Sequence, residues 1–121
     1  MFAQLPITLS PKINSGKPLL FYITGDGGMN KFSQSLVQTF TDQGFSMISL
    51  DAKEYFWNKK TPQQSAIDVS SLISKYTAEW KTSNVVLIGY SFGADVAPFI
   101  FNGLPIDIKN KISSLVLLSP S

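Results

Sequence analysis

The chain has 121 residues and a formal net charge of +2, with 44% hydrophobic and 15% charged residues, the length and composition of one small globular domain. It holds no Cys and no His, and all ten of its basic residues are Lys. Disulfides, thiol or imidazole chemistry, Cys- or His-based metal sites and Arg forks on phosphate are therefore excluded within it. The lysines are scattered, which leaves no nucleic-acid footprint, and no apolar run approaches the ~18 residues of a membrane-spanning helix. No cofactor and no metal are expected.

Residues 1–4 have neither a basic segment nor an apolar h-region, so they are no intact signal peptide. They read as the stub left after one, with Met1 added for expression. Residues 1–17 form an N-terminal extension in which residues 5–9 are a candidate edge strand. Apolar runs then fall at residues 19–24, 45–50, 85–89 and 115–119. Each is continuous rather than alternating, as suits strands buried on both faces of a parallel sheet.

A helical pattern fills each gap. Phe32, Leu36, Val37 and Phe40 make one stripe, with Gly44 as the C-terminal cap. Val69, Leu72, Ile73, Tyr76 and Trp80 make a second, opened by Thr61 as N-cap, Pro62 at the first position and Gln64 closing a capping box. A third is predicted over residues 92–102, with Pro98 kinking it. Strands alternating with helices imply an α/β domain: a three-layer parallel sheet with right-handed crossovers, spanning residues 1–121 without a linker. The last run leaves a bare sheet edge unless another chain or a further stretch of a longer protein covers it. The expectation is a partial domain, truncated after its fourth long strand.

The main chemical signal is Gly89-Tyr90-Ser91-Phe92-Gly93, a G-x-S-x-G pattern. Alone the pattern is weak, but it follows an apolar strand and opens a helix, the setting of a nucleophile elbow. The elbow strains the serine backbone and lifts its Oγ above the sheet, while Gly89 and Gly93 let backbone pass without a clash. Ser91 then stands at a helix N-terminus, which favours developing negative charge. The bland reading is a tight turn that contains a serine.

The second signal is Gly25-Asp26-Gly27-Gly28, after the first long strand. Sites with this elbow take one oxyanion donor from the N–H after the nucleophile, Phe92 in this chain, and another from a Gly-rich loop after an earlier strand. Asp26 is awkward in such a loop: its carboxylate must turn away or bind a cation, or it merely orders the turn. A rival reading takes Gly25, Gly27 and Asp51 as a dinucleotide fingerprint, but Asn30 stands where the third glycine belongs, and the elbow is left unexplained.

Tyr55-Phe56-Trp57 follows the second long strand, and three adjacent aromatics cannot all face one core. Either at least one lines a pocket for an apolar substrate, or they form a satellite cluster under a loop. Lys59 and Lys60 beside them either attract an anionic head group or belong to a solvated turn. Asp95, four residues after Ser91, shares its side of the helix and is placed to hold the elbow.

The Gly25–Gly28 loop, Tyr55-Phe56-Trp57, the Gly89–Val96 stretch and Asn102-Gly103-Leu104-Pro105 together resemble the bacterial VirJ/AcvB virulence-protein family from about residue 18 onward. The resemblance implies a periplasmic α/β-hydrolase acting on an ester of aminoacylated phosphatidylglycerol, notably the lysyl form, with peripheral contact to membrane lipid. It implies Ser91 as nucleophile and Phe92 with Asp26 or Gly27 as oxyanion donors. Met29, Tyr55, Phe56, Trp57 and Tyr90 are the candidate pocket residues, and Met29 departs from the Trp that the family usually carries there. The triad order of such hydrolases is Ser, then Asp/Glu, then His. Both later members are expected beyond residue 121, which makes this chain by itself nearly inactive. The alternative is a non-catalytic binding or assembly module on a hydrolase scaffold.

Overall fold

Residues 19–23 and 46–50 are buried at every position, as strands covered on both faces must be. The computed structural model describes residues 5–119, so the expected stub at residues 1–4 lies outside them. The elements in chain order are β1 (Ile7–Ser10), β2 (Leu19–Ile23), α1 (Lys31–Asp42), β3 (Ser46–Leu50), α2 (Ala52–Tyr55), α3 (Pro62–Glu79), β4 (Val85–Tyr90), α4 (Phe92–Gly103), α5 (Ile106–Lys109) and β5 (Ile112–Leu118).

The strands form one sheet in the order β1-β3-β2-β4-β5. β3, β2, β4 and β5 run parallel, and β1 pairs antiparallel with β3. The sheet is therefore mixed rather than wholly parallel. A short hydrophobic segment ahead of the first crossover needs no helix to reach the sheet edge, so nothing forces it parallel.

Alternate residues of the strands feed two apolar clusters. Leu19, Phe21, Ile23, Ile48 and Leu87 pack with the inner faces of α3 and α4. Leu20, Tyr22, Met47 and Ile88 pack on the opposite side with Val37 of α1. These are the three layers expected, with the sheet in the middle. β5 starts at Ile112, ahead of the apolar run, and Leu115, Val116 and Leu117 stay exposed.

The helix ends follow local chemistry. Asn30 Oδ1 accepts the Ser33 N–H at 3.1 Å and caps α1. At the other end Gly44, at φ +93°, takes a left-handed conformation, its N–H bonded to Thr41 O and that of Phe45 to Phe40 O. This is a Schellman motif, with Gly44 just past the cap residue Gln43. Thr61 caps α3 through the Gln64 N–H at 3.0 Å. The reciprocal half of the predicted capping box does not form: Gln64 Nε2 donates to Asp68 Oδ1 at 3.1 Å instead. α4 runs continuously through Pro98.

β2 and β4 are neighbours, with Ile23 paired to Gly89. Their following residues, Thr24-Gly25 and Tyr90-Ser91, therefore leave the sheet side by side at its C-terminal edge. That register brings the two sequence signals together.

Candidate active site

Ser91 joins β4 to α4 with φ +55° and ψ −116°. A β-carbon in this region is crowded by its own backbone, at a cost of about 1–3 kcal/mol, so the surroundings must impose it. They do so on both sides. The Ser91 N–H donates to Leu118 O at 2.9 Å, and the N–H groups of Ala94 and Asp95 donate to Ser91 O at 2.9 and 3.2 Å. The Asp95 N–H bond is the first-turn backbone bond of α4, which any non-proline residue at that position would make.

The flanking glycines are there for space. A β-carbon on Gly89 would lie 2.4 Å from Gly93 O, and one on Gly93 would lie 2.2 Å from Ile23 O and 2.6 Å from Thr24 O. The first turn of α4 is pressed onto the ends of β2 and β4, closer than any side chain permits. The Ser91 side chain makes no capping bond, so its hydroxyl is not spent on the helix. The first N–H groups of α4, beginning at Phe92, are those no intrahelical carbonyl reaches.

The Gly25–Met29 loop lies against this turn: a β-carbon on Gly25 would be 3.3 Å from Ser91 Cβ and 3.3 Å from the Tyr90 ring. Backbone closes the turn, with Gly28 N–H donating to Gly25 O at 3.0 Å. Asp26 therefore does not order it, and Asp26 and Gly27 are both exposed at its tip. Asp51, which the rival fingerprint assigned to a ribose, is already engaged: its Oδ1 accepts Glu54 N–H at 3.0 Å and its Oδ2 accepts Met29 N–H at 3.2 Å. Thr24 Oγ1 donates to Gly25 O and accepts Ala52 N–H, each at 2.9 Å.

The three adjacent aromatics divide. Tyr55 is in the core, its hydroxyl donating to Asp68, and it is no pocket wall. Burial first, then that bond to a carboxylate, hold the Tyr55 phenol well above its usual pKa. Trp57 is 80% exposed. Phe56 packs edge-to-face on Phe92 with ring centroids 5.5 Å apart. Phe56 and Phe92 open onto an apolar cavity of about 250 Å³, completed by Pro62, Val96, Phe99 and Ile100, with Ser65 and Lys60 as its polar members.

Met29 and Tyr90 pack instead with the cluster on the other side of the sheet, and the Tyr90 ring lies 4.4 Å from that of Phe32. Of the five predicted pocket residues, this cavity takes Phe56. Sequence reasoning missed Val96, Phe99 and Ile100, although their spacing from Phe92 marks one face of α4. Of the two lysines read as either head-group ligands or a solvated turn, Lys60 stands at this cavity.

Three solved structures show the same architecture. Aspergillus fumigatus lipase B superposes with a TM-score of 0.69 at 15% identity, over 95% of this chain and 28% of its own. Monoacylglycerol lipase of Paleococcus ferrophilus gives 0.69 at 14%, over 98% and 44%. A carboxyl esterase of Bacillus coagulans gives 0.68 at 16%, over 92% and 38%. The chain spans less than half the length of each, and at these identities the likeness speaks for the α/β-hydrolase fold alone. No curated protein matches the sequence. A family model described as bacterial virulence protein (VirJ) matches residues 18–121, which takes in the Gly25–Gly28 loop, the elbow and the cavity, and the chain belongs to that family.

Proposed function

We propose that Ser91 is the nucleophile of a serine ester hydrolase. The observation that carries this is the strained Ser91 backbone, held between β4 and α4 by two glycines that admit no side chain. Such strain persists where it serves a site. A base takes the Ser91 hydroxyl proton as Oγ bonds to the ester carbonyl carbon. The oxyanion is held by N–H groups of Phe92 and of Asp26 or Gly27. The C–O bond breaks, the alcohol leaves with the proton, and water then releases the acyl group by the same route. The chain has no His, so we infer that the base comes from outside these 121 residues, with its orienting acid there too by the Ser, acid, His order of such sites, and that the chain by itself is nearly inactive.

The family resemblance supports a periplasmic setting and an aminoacylated phosphatidylglycerol as substrate. The apolar cavity beside Phe92 suits a lipid chain, with Lys60 near the anionic head group. The Asp26 carboxylate is exposed at the loop tip and suits the ammonium of a lysyl group. Asp26→Asn is then expected to weaken lysyl over alanyl substrates; equal loss on both would remove that role.

The test is fluorophosphonate labelling with peptide mass spectrometry, on this chain and on one extended through the natural reading frame. A Ser91 adduct in the extended protein alone supports the reading, with the base outside residues 1–121. No adduct in either, with both folded, favours the binding-module reading, which the absent imidazole motivates.

A further inference from the structure

We propose that Asp51 is a positioning residue of this site: it fixes the loop that offers the oxyanion its second donor. The inference rests on the serine-hydrolase reading and adds a residue outside both glycine motifs. Asp51 follows β3 and caps α2, and one carboxylate oxygen does that work by accepting Glu54 N–H at 3.0 Å. A Ser or Thr would cap as well. The second oxygen reaches 22 residues back along the chain and accepts Met29 N–H at 3.2 Å. The loop is shaped to meet it: Gly28 sits at φ +67°, and a β-carbon there would lie 2.8 Å from both Asp51 oxygens.

The same corner holds the other end of the loop. Thr24 N–H donates to Leu50 O at 3.1 Å, and Thr24 Oγ1 bridges Gly25 O and Ala52 N–H. The Asp51 N–H is itself anchored on Pro6 O at 2.9 Å, just ahead of β1. Held at Thr24-Gly25 and at Gly28-Met29, the loop has only Asp26 and Gly27 between its fixed points, and these are the residues proposed to present the donor. An oxyanion hole works because its donors are in place before the charge develops. The part of Asp51 that the helix cap does not need supplies that placement.

The experiment compares wild type, Asp51→Ser, Asp51→Asn, Asp51→Ala and Ser91→Ala, expressed from the full reading frame, on p-nitrophenyl butyrate. Asp51→Ser keeps the α2 cap but is too short for Met29. It is expected to melt close to wild type and to lose ~10- to 100-fold in kcat with KM within about threefold, as a donor engaged only in the transition state requires. Asp51→Asn, with one acceptor left, falls between, and Asp51→Ala is the lowest. In amide exchange, Met29 N–H is protected in wild type and unprotected in Asp51→Ser.

Wild-type kcat in Asp51→Ser, with Ser91→Ala inactive, overturns the positioning role alone. So does a loss of kcat that follows the melting temperature across all three Asp51 variants. Equal turnover by Ser91→Ala and wild type overturns the serine reading, and the positioning role falls with it.

Discussion

Gly93→Ala tests the packing of the elbow most directly. The added β-carbon would stand 2.2 Å from Ile23 O, 2.6 Å from Thr24 O and 2.9 Å from Ile23 C. All three are backbone atoms at the end of the central strand and just past it, so no side chain can swing aside. Restoring even the 3.0 Å lower limit of real contacts moves the first turn of α4 by at least about 0.8 Å. Alanine gains up to about 1 kcal/mol over glycine in a helix, against about 1–3 kcal/mol for overpacking a tight contact, so the clash wins. A lower melting temperature is expected, with Ser91 displaced by nearly 1 Å and a rate loss on the order of 10²-fold.

The assays are thermal unfolding and Ser91 fluorophosphonate labelling in the protein expressed from its full reading frame. Gly27→Ala is the milder comparison for stability: its β-carbon would meet the Asn30 side chain at 2.6 Å and no backbone atom, so it disturbs the Asn30 cap of α1 rather than the sheet. A Gly93→Ala protein that melts at or above wild type and labels at the wild-type rate would refute the argument.

Other outcomes follow from the same structure. Ser91→Gly removes the strained β-carbon at φ +55°, so it is expected to abolish labelling while raising stability by about 1 kcal/mol in thermal unfolding. Val96→Trp fills part of the apolar cavity. It is expected to lower turnover of p-nitrophenyl octanoate at least about tenfold more than that of the acetate, measured side by side. Tyr22 and Tyr55 have phenols raised above the usual 10.0 chiefly by burial. Below pH 10 they are protonated folded and unfolded alike; above it the unfolded chain releases its protons first, so stability falls as pH rises. Tyr55→Phe is expected to flatten that alkaline fall in urea titrations, though at neutral pH it loses the bond to Asp68.

Much of the design was legible along the chain. Continuous apolar runs marked β2, β3 and β4 because a strand buried on both faces has no polar side to alternate with. Gly44 and Thr61 marked helix ends because their reasons are local: a left-handed φ and a hydroxyl three residues from an orphan N–H. Gly89, Ser91 and Gly93 marked the elbow by their pattern between an apolar strand and a helix.

What the chain order does not contain is which distant backbones touch. Gly93 is required by Ile23 and Thr24, about 70 positions earlier, through the β2–β4 register. The direction of β1, the burial of Tyr55 beside the exposed Trp57, and the cavity between α3 and α4 depend on how helices settle on the sheet. Asp51 shows the division most plainly. By pattern it was a ribose ligand of a rival fingerprint, and only the fold, by laying β3 against β2, puts its second oxygen on the Met29 N–H. Local conformation is written in neighbouring residues, whereas a site assembled from several strand ends exists only once hydrophobic burial has chosen their order.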